Sequence, residues 1–155
     1  PRMNQDKVRE LTQEALDENE SLFLIDLQFH KNNKITVIVD GDNGVPLSEC
    51  VRISRNIEHN LDREEEDFSL EVTTPDIAHP LTSKRQYKKN INRILKIKNE
   101  TEDFEGTLTH VTDEEITIQW KTREPKPVGK GKHTVEKIKK LPYANIKEAK
   151  VKIIF

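Results

Sequence analysis

The chain has 155 residues, enough for one medium domain or two small ones. Charged residues make up 35% of it and apolar residues 33%. In a typical soluble domain roughly a quarter of the residues are charged. The high charge and low apolar content therefore fit two small domains with thin cores better than one large globule. The lone cysteine, Cys50, excludes an intrachain disulfide and indicates a reducing compartment. No apolar run approaches the roughly 20 residues of a membrane span, and the polar start is unlike a signal peptide, so we expect a cytoplasmic protein with no membrane partner.

The net charge of −2 conceals two oppositely charged halves. Residues 1–82 carry 18 Asp and Glu against 8 Lys and Arg, whereas residues 83–155 carry 10 against 18. A basic half suits phosphate backbones. An acidic half suits a basic protein, or it repels nucleic acid so that only one face of the protein docks. The alternative is that both halves are merely solvated surface.

The start of the chain predicts a helix followed by a β-hairpin. Residues 4–18 repeat apolar residues at helical spacing. Residues 21–29 and 35–39 alternate as strands on either side of a polar turn, which predicts an antiparallel pair. In the first strand one face is expected to consist of Phe23, Ile25, Leu27 and Phe29.

A second helix and a third strand complete this half. Ser48 is a plausible N-cap for a helix, whose apolar face is formed by Cys50, Ile53, Ile57 and Leu61. The acidic run 64–67 ends the helix, and residues 68–72 alternate as a strand. The order α-β-β-α-β predicts an α+β sandwich of helices on one sheet.

Pro75 and Pro80 break both periodicities and mark a junction. We assign residues 1–76 to an acidic α+β domain, 77–83 to a linker and 84–155 to a basic domain. That domain begins with a short helix at 84–92. Short strands follow at 93–98, 104–111, 115–120, 134–140 and 149–155. Five short strands with polar turns are typical of a small SH3-like all-β barrel.

Two features interrupt the strand pattern. Gly106 lies inside a strand and predicts a bulge or a bend. Residues 120–134 combine prolines and glycines with five lysines and arginines, which predicts a long flexible basic hairpin loop, too polar to pack.

The chain carries no recognisable catalytic, metal-binding or cofactor-binding motif. Asp40-Gly41-Asp42-Asn43-Gly44 opens like a calcium loop, but Val45 and Val51 stand where an EF-hand needs glycine and glutamate. The five histidines are scattered singly, and one cysteine cannot complete a zinc site. We therefore expect a protein that is not an enzyme and needs no cofactor.

Basic side chains form the candidate binding residues. Phosphate contacts give affinity without sequence preference, and the scarcity of aromatic residues near these cations argues against base stacking and for folded RNA. The candidates are Lys84, Arg85, Lys88, Lys89 and Arg93 in the short helix and after it, and Lys126, Lys130 and Lys132 in the loop.

Five stretches occur in order along nearly the whole chain: Ile38-Val39-Asp40-Gly41-Asp42-Asn43-Gly44, Ile53-Ser54-Arg55-Asn56-Ile57, Glu71-Val72-Thr73-Thr74-Pro75-Asp76 with Pro80-Leu81, Phe104-Glu105-Gly106 and Leu141-Pro142-Tyr143. By their order and spacing they resemble the ribosome maturation factor RimP family. The chain departs from the family signature at the junction. Thr73 and Thr74 stand for its serines, Asp76 for its glycine, and Ala78-His79 for its Asp-Arg. The junction candidates are Thr73, Thr74, Pro75, Asp76, His79 and Pro80.

The resemblance implies no catalysis and a role in maturing the free small ribosomal subunit. It implies contacts to ribosomal RNA and to a basic small-subunit ribosomal protein. We expect the protein to be a monomer. The acidic half suits that protein, with Asp40, Asp42, Glu64, Glu65 and Glu66 as candidates. The alternative function is a generic RNA-binding regulator with a dimerising α+β domain.

Overall fold

The computed structural model describes residues 4–62 and 67–154. The chain divides into two compact units, the first ending at Asp76 and the second beginning at Ile77. Each unit has its own hydrophobic core. The segment interpreted as a linker, 77–83, lies in the second unit, where the Leu81 amide donates to the carbonyl of Ala149 at 2.8 Å.

The first unit has the predicted order α-β-β-α-β. Its elements are α1 (Gln5–Asp17), β1 (Leu22–His30), β2 (Lys34–Gly41), α2 (Leu47–Glu58) and β3 (Ser69–Thr73). In the sheet order β1-β2-β3, β1 pairs antiparallel with β2, whereas β3 pairs parallel with it through the α2 crossover. The central strand β2 carries the β-branched residues Ile35, Val37 and Val39, all fully buried.

The predicted apolar face of β1 is wrong in its first half. The pairing of β1 with β2 shifts register between Leu24 and Asp26, so Ile25 forms a β-bulge. One extra residue reverses the alternation of the strand. The core side of β1 therefore carries Leu22 before the bulge and Leu27 and Phe29 after it. The sequence alternation alone carries no signal for this bulge.

The predicted Ser48 cap is also wrong. Helix α2 begins at Leu47 after Pro46, and no side chain caps its amino end. The rest of the predicted helix face is confirmed: Cys50, Ile53 and Ile57 are buried, and Leu61 packs against the same core.

The second unit is a short helix on a five-stranded antiparallel sheet. Its elements are α3 (Lys84–Lys89), β4 (Ile94–Lys98), β5 (Asp103–Val111), β6 (Glu115–Pro125), β7 (Lys132–Pro142) and β8 (Glu148–Val151). The strand order is β7-β6-β5-β4-β8, so β7 and β8 are the two edges and the barrel-like sheet is not closed. The predicted α+β class and the five strands are confirmed.

Gly106 marks a close approach of two strands instead of a bulge. The register shift of β5 lies further on, between Leu108 and His110. A Cβ atom on Gly106 would lie 2.8 Å from the carbonyl oxygen of Gln119 and 3.3 Å from the Trp120 ring. Only glycine therefore fits between β5 and the backbone of β6.

The predicted flexible loop at 120–134 is wrong over most of its length. Strands β6 and β7 remain paired as far as Pro125 and Lys132, and only residues 126–131 form the turn. Two strands can pair through their backbones although their side chains are polar, provided that those side chains reach water. Composition alone does not reveal such pairing.

Candidate nucleic-acid-binding surface

Helix α3 is fixed to the second unit by polar and aromatic anchors. Ser83 Oγ accepts from the Arg85 amide at 3.2 Å, and Gln86 Oε1 accepts from the Ser83 amide at 3.1 Å, which forms a capping box. Buried Asn90 donates from Nδ2 to the Gln86 carbonyl at 2.7 Å. These bonds stabilise a helix of six residues, too short to persist alone.

Tyr87 is the apolar anchor of the same helix. Its side chain is buried in the second core, and its ring packs edge-on against Tyr143 at 5.4 Å between centroids. Burial raises the pKa of Tyr87 to about 12, with a further contribution from Tyr143.

The raised pKa of Tyr87 predicts a loss of stability in alkali. The folded protein holds the phenol proton more tightly than the unfolded chain, whose pKa is about 10. The contribution of the protonated Tyr87 phenol to the stability of the fold is therefore complete below about pH 10 and disappears as the pH rises through about 12. We expect wild type to lose on the order of 2 kcal/mol more than Tyr87→Phe over this range.

Urea unfolding followed by the fluorescence of Trp120 measures this difference, since Trp120 is the chain's one tryptophan and packs against the second core. Tyr143 titrates in both proteins and cancels in the comparison. Equal pH dependence in wild type and Tyr87→Phe would show that the Tyr87 phenol is solvated.

The buried anchors of α3 leave four cations on its opposite side. Residues 86, 87 and 90 face the core, so at 100° per residue the solvent side is formed by Lys84, Arg85, Lys88 and Lys89, here called the α3 basic face. Lys84, Lys88 and Lys89 are exposed and Arg85 is half-buried. The Lys84 Nζ lies 5.3 Å from the Tyr143 ring centroid, a cation–π contact that orients this ammonium. Arg93 is exposed just before β4.

The candidate loop lysines lie at the end of a β-ribbon. Lys126 and Lys130 are exposed in the turn, and Lys132 is exposed at the first position of β7. Lys121 and Arg123 were counted in the predicted basic loop but not among its candidate contacts. Their spacing of two residues on one strand was the available signal that they share a face.

The acidic candidates of the first unit lie around the end of β2. Asp40 is half-buried and accepts from the Gly41 amide at 2.8 Å, while Asp42 is exposed and its amide donates to the Ser21 carbonyl at 2.8 Å. Glu64, Glu65 and Glu66 lie outside the described residues.

An ion-pair network that the sequence did not predict joins α2 to the end of α1. Arg52 donates to Glu49 at 2.7 Å and to the Ala15 carbonyl at 2.8 Å, and it also contacts Glu18 at 2.6 Å. The Arg52 hydrogen bond, with a second from Asn19, lowers the pKa of Glu49. This network satisfies an α1 carbonyl and is structural.

The junction candidates lie on both sides of the division between the units. Thr73 ends β3, and Thr74, Pro75 and Asp76 follow it without regular structure. His79 contacts the Pro80 carbonyl through Nδ1 at 2.9 Å.

Within residues 4–62 and 67–154, no group of three or more His, Cys, Asp or Glu is placed to hold a metal ion. Cys50 is buried, and burial raises the pKa of its thiol. None of the helices in the described part of the chain is long and apolar enough to span a membrane.

The fold and the charge distribution define a class of protein: an acidic α+β unit followed by a basic, barrel-like β unit. The family model described as the RimP N-terminal domain matches residues 12–78. A ribosome maturation factor RimP of Christiangramia forsetii is 54% identical over 99% of this chain and 100% of its own length. The chain belongs to the RimP family of ribosome maturation factors.

Two further relatives bear the same name. The protein of Flavobacterium psychrophilum is 53% identical over 97% of each chain. The protein of Cytophaga hutchinsonii is 29% identical over 96% of each chain. The similarity therefore extends over both units, as the sequence resemblance indicated.

Proposed function

We propose that this protein binds the free small ribosomal subunit during its maturation, without catalysing a reaction, as a cytoplasmic monomer. The α3 basic face carries the proposal: four cations on one side of a helix that is fixed by buried anchors on the other. Such a surface meets RNA phosphates with little loss of backbone entropy, because the helix is already ordered. Arg93 extends the same basic segment towards β4.

The acidic unit is proposed to meet a basic small-subunit ribosomal protein. Its excess of carboxylates would repel RNA and attract lysine- and arginine-rich protein segments. Of the two candidates in the described part of the chain, Asp42 is exposed after β2, whereas Asp40 is half-buried and supports the turn through its bond to the Gly41 amide.

Depletion of the protein from its own cells tests this function. We expect free small subunits to fall relative to large subunits and precursor small-subunit RNA to accumulate, most strongly in fast growth. Sucrose-gradient profiles and primer extension at the ends of that RNA measure both, with cells expressing the intact chain from a plasmid as the control. Normal profiles together with normal RNA ends would overturn the proposal.

A generic RNA-binding regulator predicts a different outcome of depletion. Particular messenger RNAs would change in abundance or translation, whereas the ends of small-subunit RNA would stay normal. Sedimentation of the purified chain as a dimer would favour that reading, and sedimentation as a monomer would favour the assembly role.

A further inference from the structure

We propose that the β6–β7 ribbon binds double-helical RNA through one of its two faces, as a second contact additional to the α3 basic face. The inference rests on the proposed function for its biological setting, but the RNA contact itself is testable apart from the ribosome. The ribbon is defined here as residues 121–136, from the pair Lys121 and Glu136 to the turn at 126–131.

The ribbon is an ordered projection from the sheet. Strand β5 pairs with β6 only as far as Gln119, and beyond it the described pairing of β6 is with β7 alone. The ribbon itself contributes five pairs, from Lys121 opposite Glu136 to Pro125 opposite Lys132. At about 3.3 Å per residue it therefore extends roughly 15–20 Å beyond the sheet, including its turn. The Lys126 amide donates to the Gly131 carbonyl at 3.1 Å and closes the turn, where Gly129 and Gly131 adopt positive φ.

Cross-strand register divides the ribbon residues between two faces. One face is half-buried and electrically balanced, because Glu124 forms a 2.9 Å ion pair with Lys137 beside Thr122 and Val135. The opposite face is exposed and is here called the ribbon basic face: Lys121, Arg123 and Lys132.

The ribbon basic face keeps a net positive charge. Glu136, opposite Lys121, is its one carboxylate among the described ribbon residues, against three cations. Lys126 and Lys130 in the adjoining turn add two more exposed cations. Opposite faces of one ribbon therefore differ in charge, which a merely solubilising lysine-rich loop does not require.

Arg123 is held in position on this face. Its Nη1 donates to Thr134 Oγ1 at 2.9 Å and its Nη2 donates to the Lys132 carbonyl at 3.2 Å. A guanidinium fixed by two bonds loses little side-chain entropy when its remaining N–H groups bind a phosphate. The pre-oriented group points to a binding role beyond simple solvation.

The chemistry of the face favours an RNA double helix. Residues 121–136 contain no aromatic side chain besides His133, which lies on the other face, so they cannot stack the bases of a single strand. A-form RNA offers a wide, shallow minor groove lined by 2′-hydroxyls and flanked by phosphates. A stiff two-stranded ribbon with cations on one face fits that surface and needs no base readout.

Fluorescence anisotropy of the full chain with a blunt RNA duplex of two helical turns tests the proposal. The comparison probes are one strand of that RNA and a DNA duplex of the same sequence. The test variant is K121Q/R123Q/K132Q, and the matched control, K96Q/K98Q/K147Q, removes the same charge from exposed positions elsewhere in the second unit. A second variant replaces 123–134 by Asn-Gly between the opposed Thr122 and Val135, a sequence that favours a two-residue turn.

We expect wild type to prefer the RNA duplex over the single strand. The triple variant should lower the salt slope of log affinity by about 2–3, at roughly 0.7–0.9 per lost contact, and the shortened ribbon should lower it at least as far. The control should lower it by less than about 1. Circular dichroism and Trp120 fluorescence establish that each variant is folded.

Two results would overturn the inference: equal slopes for the test and control variants, or a preference for the single strand that needs the ribbon. Binding of wild type and the triple variant to free small subunits separates this inference from the proposed function. If wild type binds subunits but its duplex binding does not depend on the ribbon, the ribbon proposal is wrong and the proposed function stands. Absence of subunit binding by wild type removes the proposed function, whereas ribbon-dependent duplex binding would still stand.

Discussion

Replacing Lys84, Arg85, Lys88 and Lys89 together by Gln is expected to weaken binding to free small subunits by about 10²–10³-fold at 0.15 M salt. Each phosphate contact releases condensed counterions, so four lost contacts should also reduce the salt slope of log affinity by about 3. The helix should survive the change, because the Ser83–Gln86 capping box and buried Tyr87 hold it and Gln is a good helix former.

The matched control is the quadruple Gln variant at Lys96, Lys98, Lys147 and Lys150, which loses the same charge from β4, β8 and the segment before it. Titration of labelled subunits at several salt concentrations measures affinity and slope. If the test variant and the control reduce the slope equally, general electrostatic attraction explains the binding and the α3 basic face is not a contact.

Ile97→Ala is expected to destabilise the second unit by about 2–5 kcal/mol. Ile97 is 1% exposed on β4 and lies opposite Phe104 and Ala149 on the neighbouring strands. The truncation removes buried apolar surface and leaves a cavity that three hydrogen-bonded strands cannot close. A unit with such a small core has little stability to spare.

Lys96→Ala is the control, since Lys96 is exposed at the adjacent position of the same strand, and a change within about 0.5 kcal/mol is expected. Urea unfolding monitored by Trp120 fluorescence reports the second unit. A loss below about 1 kcal/mol for Ile97→Ala would show that the second core is less tightly packed than its burial indicates.

Hydrophobic periodicity was sufficient to predict the elements whose faces are regular. The spacing of Cys50, Ile53 and Ile57 located α2 and its buried side, and the alternation of Ile35, Val37 and Val39 located the central strand. Both patterns work because each element buries one face against a single core.

The failures arise where backbone hydrogen bonding decides the structure. The bulge at Ile25 reverses the alternation of β1, and Pro46, in place of Ser48, precedes the first turn of α2. The ribbon between Lys121 and Glu136 forms by cross-strand pairing among polar residues. The bulge, the helix start and the polar strand pair leave no mark on the amino-acid composition and do not recur at a regular spacing. Neither composition nor periodicity could therefore reveal them.

The candidate residues of the α3 basic face come from the sequence and stay a prediction as RNA contacts, whereas their geometry needed the structure. The basic character of 84–89 is readable from sequence, whereas the buried anchors Gln86 and Asn90, which fix the helix orientation, are polar and look like surface residues. In the loop the prolines and glycines suggested flexibility, and the pairing of Arg123 with Thr134 replaced it with order. The expected entropy cost of ordering that loop is therefore smaller than composition suggested.

The proposed binding to free small subunits is tested by co-sedimentation of the purified chain with immature small subunits, mature small subunits, joined ribosomes and naked small-subunit RNA. We expect salt-sensitive binding to free small subunits, tighter than to joined ribosomes and tighter than to the naked RNA, because the acidic unit needs a protein contact that naked RNA lacks. Equal or tighter binding to joined ribosomes or to naked RNA would contradict it.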